Sequence, residues 1–205
     1  MLWSKYNSCR GLGTMSHVAR NDERRFALAD AGIRVLAEEG ARGLTHRAVD
    51  AIAGTPRGTA SNYFPTRDDL ISALVDRIEE RLTPDPDAIP SRESRLPNEA
   101  LFAEYLRDVV RRLSIDPHIS LALFELRLEA ARKPAVATAL GAWRQRAFHD
   151  DVVFNASAGL PGGQTEIALL HYAIDGVMLD HLTVPLDTGL TIDAAVNEFV
   201  ERILR

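Results

Sequence analysis

Residues 44–70 read LTHRAVDAIAGTPRGTASNYFPTRDDL. Thr45 stands where an N-cap belongs, ahead of a short run whose apolar residues Ala48, Val49, Ile52 and Ala53 fall on one helical face. Gly54 closes that run. Thr55-Pro56 predicts the opening of a second short helix, with Thr as cap and Pro at the first helical position, running to about Tyr63 or Phe64 before Pro65 stops it. Thr66 then caps a longer helix, with Asp69 in the capping-box position and Leu70, Ile71, Leu74, Val75, Ile78 and Leu82 as its apolar stripe. Two short helices meeting at a Gly-containing turn have the pattern of a helix-turn-helix.

The second short helix opens with small and polar residues: Arg57, Gly58, Thr59, Ala60, Ser61 and Asn62. Such a helix is a poor core element, but it suits a face that meets something polar. In a helix-turn-helix that face enters the major groove of DNA. Arg57 is matched to guanine and Asn62 to adenine, Ser61 lies beside them, and Gly58 permits close approach. Phe64 reads as core. Thr45, His46, Tyr63 and Arg67 flank this helix at places suited to phosphate, with Arg42, Arg47, Thr55 and Thr59 nearby. Arg42, Arg47, Arg57 and Arg67 face one acid, Asp50, a local excess of three positive charges in a chain of net charge −5. Groove binding needs that local inversion.

This stretch resembles the DNA-binding domain of tetracycline-repressor-type (TetR family) regulators. The resemblance is carried by Thr45, Ala53-Gly54, Gly58-Thr59, Tyr63-Phe64 and Arg67, within about residues 22–82. Pro56 stands where the family often has serine, and Ser61 where an aromatic residue is common. The resemblance implies an all-α protein with a three-helix N-terminal DNA-binding domain and a C-terminal helical domain that dimerises and encloses a ligand.

Working outward, residues 22–39 carry Phe26, Ala29, Ile33, Leu36 and Ala37 on one helical face, ended by Gly40. Residues 1–19 show neither helical period nor the apolar run of a signal peptide and are expected to be a disordered tail, with Met15 as an alternative start. Thr83–Pro97, with four prolines, reads as a linker. Beyond it, apolar spacing predicts helices around Leu101–Leu113, from Asp116-Pro117, from Pro134, around Ile167–Leu182 and around Ile192–Ile203, with GLPGG at 159–163 as a break. About nine helices are expected, divided into residues 20–66 as DNA-binding domain and 67–205 as ligand and dimerisation domain.

The composition, 46% hydrophobic and 26% charged over 205 residues, is globular. The single cysteine, Cys9, excludes an internal disulfide and suits the cytoplasm. No run approaches the roughly 18 apolar residues of a membrane span. No phosphate-cradling loop, nucleophile elbow or Cys-His pair suggests an enzyme, and no cofactor is implied. His171 and Asp175 share an i, i+4 face, which reads as a polar patch rather than a metal site. The resemblance makes Phe102, Tyr105, Phe124, Arg127, Trp143, Phe148, His171, Tyr172 and Asp175 candidate lining for an effector pocket.

The reading is then a ligand-responsive repressor, a homodimer joined through its last two helices, on a near-palindromic double-stranded operator. The effector would shift the spacing of the two heads through the helix that begins at Thr66. A small-molecule-binding protein without DNA activity, or a helical enzyme, is the alternative.

Overall fold

A computed structural model describes residues 17–84 and 96–205, with side chains from residue 21. Residues 1–16 of the expected tail, including Cys9 and Met15, and residues 85–95 of the expected linker lie outside the described residues. Among the described residues there are nine helices and no strand. They are α1 (His17–Gly43), α2 (His46–Ile52), α3 (Thr59–Tyr63), α4 (Arg67–Leu82), α5 (Glu99–Ile115), α6 (Pro117–Ala130), α7 (Pro134–Ser157), α8 (Gln164–Leu182) and α9 (Ile192–Ile203).

Several boundaries follow from local chemistry. Thr66 accepts the Asp69 amide while the Asp69 carboxylate accepts the Thr66 amide, so α4 opens on a complete capping box. Asp116 caps α6 ahead of Pro117, and Asn98 accepts the Leu101 amide at the start of α5. Gly40 has φ 69° and ψ −177°, so α1 breaks there as its sequence suggests, and one further turn follows to Gly43. At its other end α1 has already begun at His17, before the expected start.

The third helix differs from expectation. Thr55-Pro56 does not open it; α3 begins at Thr59, and Gly58, at φ 90°, is its N-cap. Pro56 sits instead in a turn in which its carbonyl accepts the Thr59 amide at 3.1 Å and the Thr59 hydroxyl at 2.6 Å. Gly58 is needed for its left-handed backbone rather than for space, since a Cβ there would meet only Ser61 Oγ at 4.0 Å.

One apolar core joins α1, α2, α3 and α4 to α6 and the first half of α7. Leu28, Val35, Leu36, Val49, Phe64, Leu74 and Ile78 pack with Ile119, Leu126, Val136 and Leu140. The hydrophobic core thus runs without interruption across residues 66 and 67. Two smaller cores lie farther out: Leu101, Phe102, Ile167, Leu170 and Val200 in one, Val110, Ile174, Met178 and Val196 in the other. They bind α5, α8 and α9 together. Polar clasps reinforce the first core. Asp30 on α1 receives Nε and Nη2 of Arg77 on α4, both at 2.8 Å, and Arg81 reaches Asp30 and Asp116.

Candidate nucleic-acid interface

The short helices present their polar residues on two different sides. Ala60 and Phe64 are fully buried, so the opposite edge of α3 faces solvent with Ser61 and Asn62, and Arg57 stands exposed in the turn before it. Arg42, Arg47, Arg57 and Asn62 are exposed, and their side chains make no polar contact among the described residues. Ser61 Oγ donates to the Gly58 carbonyl at 3.0 Å. Thr45 caps α2, accepting the Ala48 amide at 3.2 Å. Tyr63 is half-buried against the first core.

Three residues expected around the interface are turned inward. His46 Nε2 lies 2.6 Å from the Phe64 carbonyl. A carbonyl only accepts, so that nitrogen carries a proton and donates to the C-terminal end of α3. Thr55 is half-buried, its hydroxyl 3.2 Å from Asp50 Oδ1.

Arg67 is the clearest correction. Its guanidinium donates to the carbonyl of Ala41 at 2.6 Å and to that of Leu44, closing the end of α1, and it lies 4.0 Å from Glu129 on α6. The carbonyls left open beyond the Gly40 break attract the nearest fork of donors. Arg67 therefore ties the head to α6 and is no candidate phosphate contact.

Two residues not singled out in the sequence complete this region. Arg25, on α1, lies over the Phe64 ring at 4.8 Å and donates to the Tyr63 carbonyl at 3.5 Å. Asp50 is only 2% exposed. Its Oδ1 accepts the Ala60 amide at 2.7 Å, and its Oδ2 accepts the Gly58 amide at 2.8 Å. The available signal was a lone acid inside an arginine-rich stretch, on the same helix as the apolar Val49.

The candidate effector residues do not converge on one cavity. Trp143 packs on the first core, Phe102, Tyr105 and Phe148 on the second, and Phe124 on the third. Tyr172 is 68% exposed and is corrected out of any pocket: with Leu169, Gly176 and Leu179 it lies on the outer face of α8, at steps of three and four residues. His171 faces Asp151 at 2.9 Å, whereas Asp175 receives Arg127 at 2.8 Å and Arg144 at 3.2 Å. The i, i+4 pair thus serves two separate contacts, a hydrogen bond at His171 and an ion pair at Asp175. An open concavity of about 550 Å³ is lined by Pro97, Asn98, Glu99, Ala100, Gly159 and Pro161, none of them a candidate. Among the described residues no helix is long and apolar enough to cross a membrane.

Comparison with known proteins gives the arrangement a lineage. Residues 28–74 match the family model of bacterial regulatory proteins of the tetR family. Residues 97–205, just over half of the chain, match that of the tetracyclin repressor-like C-terminal domain. No curated protein matches the chain. Among solved structures, a member of the TetR family from Streptomyces coelicolor A3 is 27% identical, with 89% of this chain and 99% of that chain covered and a TM-score of 0.68. The multidrug binding protein EbrR complexed with ethidium is 28% identical over 89% of this chain and 99% of that chain, with a TM-score of 0.64. The same protein complexed with imidazole gives 28%, 89%, 95% and 0.63 in the same order. The chain belongs to the TetR family of bacterial regulatory proteins and is a DNA-binding transcriptional regulator.

Proposed function

We propose that the protein is a cytoplasmic repressor that binds a near-palindromic operator as a homodimer, reading bases with Arg57, Ser61 and Asn62 and meeting phosphates with Arg42, Thr45, Arg47, Thr59 and Tyr63. The observation that carries this reading is the division of α3: Ala60 and Phe64 are buried, whereas Arg57, Ser61 and Asn62 are exposed. Arg42, Arg47 and Arg57 have no acidic partner among the described residues, so their charge is available to phosphate.

Dimerisation through α8 and α9 is supported by the exposed apolar stripe Leu169, Tyr172 and Leu179 on α8. The outer residues of α9 are Asp193, Asn197, Glu201 and Arg202, and its apolar face packs inside the chain, so α8 supplies the apolar centre and α9 a polar rim. Two heads related by a two-fold axis would meet half-sites about 34–36 Å apart, or a multiple of that.

EbrR structures hold imidazole, proflavin, ethidium or malachite green. By that likeness the effector of this chain is a small organic molecule held among α5–α8, with Arg127, His171 and Asp175 as polar groups. Its binding would reach the heads through α4 and α6. Both touch α1, and Arg67–Glu129 and Arg81–Asp116 span the two parts.

The test is binding of the purified protein to DNA flanking its own gene, against a scrambled duplex, at two salt concentrations. Sequence-selective, salt-sensitive binding with two chains per site is expected. Equal affinity for both duplexes there and across a genomic library would overturn the reading.

A further inference from the structure

We propose that Asp50 is a positioning residue that sets the base preference of the protein, by fixing the angle at which α3 is presented to DNA. This rests on α3 being the base-reading element.

Five residues are far fewer than the about 12–15 at which an isolated helix becomes even marginal, so whatever holds the ends of α3 dictates its direction. Its N-cap, Gly58, has no side chain to offer. The cap comes instead from the preceding helix. Asp50 Oδ2 takes the Gly58 amide at 2.8 Å, and Oδ1 takes the Ala60 amide at 2.7 Å and the Thr55 hydroxyl at 3.2 Å. The Asp50 carbonyl also accepts the Thr55 amide at 3.0 Å. A single residue therefore holds the turn at its beginning and at its end. At the far end His46 and Arg25 donate to the Phe64 and Tyr63 carbonyls, so acceptor and donors match the sense of the helix dipole.

The reading residues sit one peptide away from these anchors. Arg57 precedes Gly58, and Ser61 follows Ala60. A buried carboxylate next to a phosphate-binding surface opposes affinity, because like charges repel. Its two fixed amides, however, leave α3 one orientation, and base-edge recognition depends on orientation.

Asp50→Asn keeps the volume, but its amide group turns a donor toward the Gly58 or the Ala60 N–H, so one anchor is lost. The full-length protein, Asp50→Asn and Thr55→Val would each be put through repeated selection from a random-sequence duplex library, with circular dichroism and bulk duplex retention measured in parallel. The enriched motif reports orientation and is insensitive to the folded fraction, since a destabilised head of correct geometry enriches the same motif at lower yield. We expect the wild type to enrich a motif and Asp50→Asn to lose or change preference within each half-site by roughly 10-fold per affected base, with bulk retention no lower than that of the wild type, because a negative charge has been removed. Thr55→Val should shift preference the same way and less. Loss of all enrichment by Asp50→Asn with helicity and retention intact also supports the proposal. If Asp50→Asn enriches the wild-type motif, Asp50 merely stabilises the head and the proposal falls. If Asp50→Asn does not fold, Thr55→Val decides: a shifted motif supports the proposal and the wild-type motif overturns it. A wild type that enriches no motif would instead overturn base reading by α3, and the inference with it.

Discussion

The segment from Thr45 to Arg67 and the layer made by α6, α7 and α8 contain the same kinds of polar side chain and dispose them in opposite ways. In the first, side chain meets backbone. Asp50 holds amides at one end of α3, His46 a carbonyl at the other, and Arg67 the carbonyls at the end of α1. In the second, side chain meets side chain: Arg127 and Arg144 share one oxygen of Asp175, and His171 faces Asp151. In a side chain–backbone contact one partner is fixed by the fold and only the other can turn away, whereas in a side-chain pair either partner can change rotamer. The head is therefore held in one geometry, and the outer layer keeps partners that an incoming polar molecule can exchange. That division suits a protein that reads with one end and responds with the other.

Substitutions can break or sharpen this contrast. The largest effect is expected at Phe64, where the head meets the shared core. Phe64→Ala should cost about 3–5 kcal/mol by denaturant titration, and a loss near zero would mean that the head core does not support the fold. Next comes Arg67→Ala, which removes charged donors from two carbonyls and should cost about 1.5–3 kcal/mol while leaving the salt dependence of DNA binding unchanged. A flattened salt dependence instead would return Arg67 to the phosphate surface.

Arg57→Ala should weaken operator binding by about 1–3 kcal/mol and relax base preference, whereas Arg47→Ala should weaken binding to every duplex and lower the salt slope by about one. Equal behaviour of the two in competition assays would dissolve the distinction between reading and anchoring. The smallest effect is acid sensitivity. Burial raises the pKa of Asp108, but Arg111 and Arg112 together outweigh it and hold the carboxyl below its usual value. Lys133 does the same for Glu129, the Gly163 amide for Glu166 and the Thr66 hydroxyl for Asp69. A depressed native pKa adds stability that is complete above the unfolded-chain value, about 3.9 for Asp and 4.3 for Glu, and is lost as pH falls through the native value. Asp108→Asn should thus lower neutral-pH stability and flatten the loss below about pH 5 in urea midpoints. An unchanged acid limb would place the sensitivity elsewhere.

The sequence makes the head legible because its signals are local. Thr66 with Asp69, Asp116 with Pro117 and the break at Gly40 each depend on neighbours a few residues away, and each boundary lies where its residues suggest. The same reasoning fails at Thr55-Pro56, because the cap of α3 arrives from Asp50, a residue of another helix. It fails at Arg67 because the carbonyls that capture the guanidinium lie 23 and 26 residues earlier in the chain. In the outer layer, aromatic residues at helical spacing mark helices but not which core each joins. Trp143 and Tyr172 both fit an apolar face, yet one packs beneath the head and the other points outward.

The shared core has a practical consequence for anyone wishing to treat the reading head as an interchangeable part. Val35, Phe64 and Leu74 share one core with Leu126, Val136 and Leu140, which come after residues 85–95 in the sequence. A cut after residue 84 would uncover that surface, and a graft of the head onto a foreign effector domain would bring along half of an interface. A transplant that kept this core whole would carry the head with α5, α6 and the first half of α7, so new operator preferences are better introduced by changing the exposed edge of α3 in place.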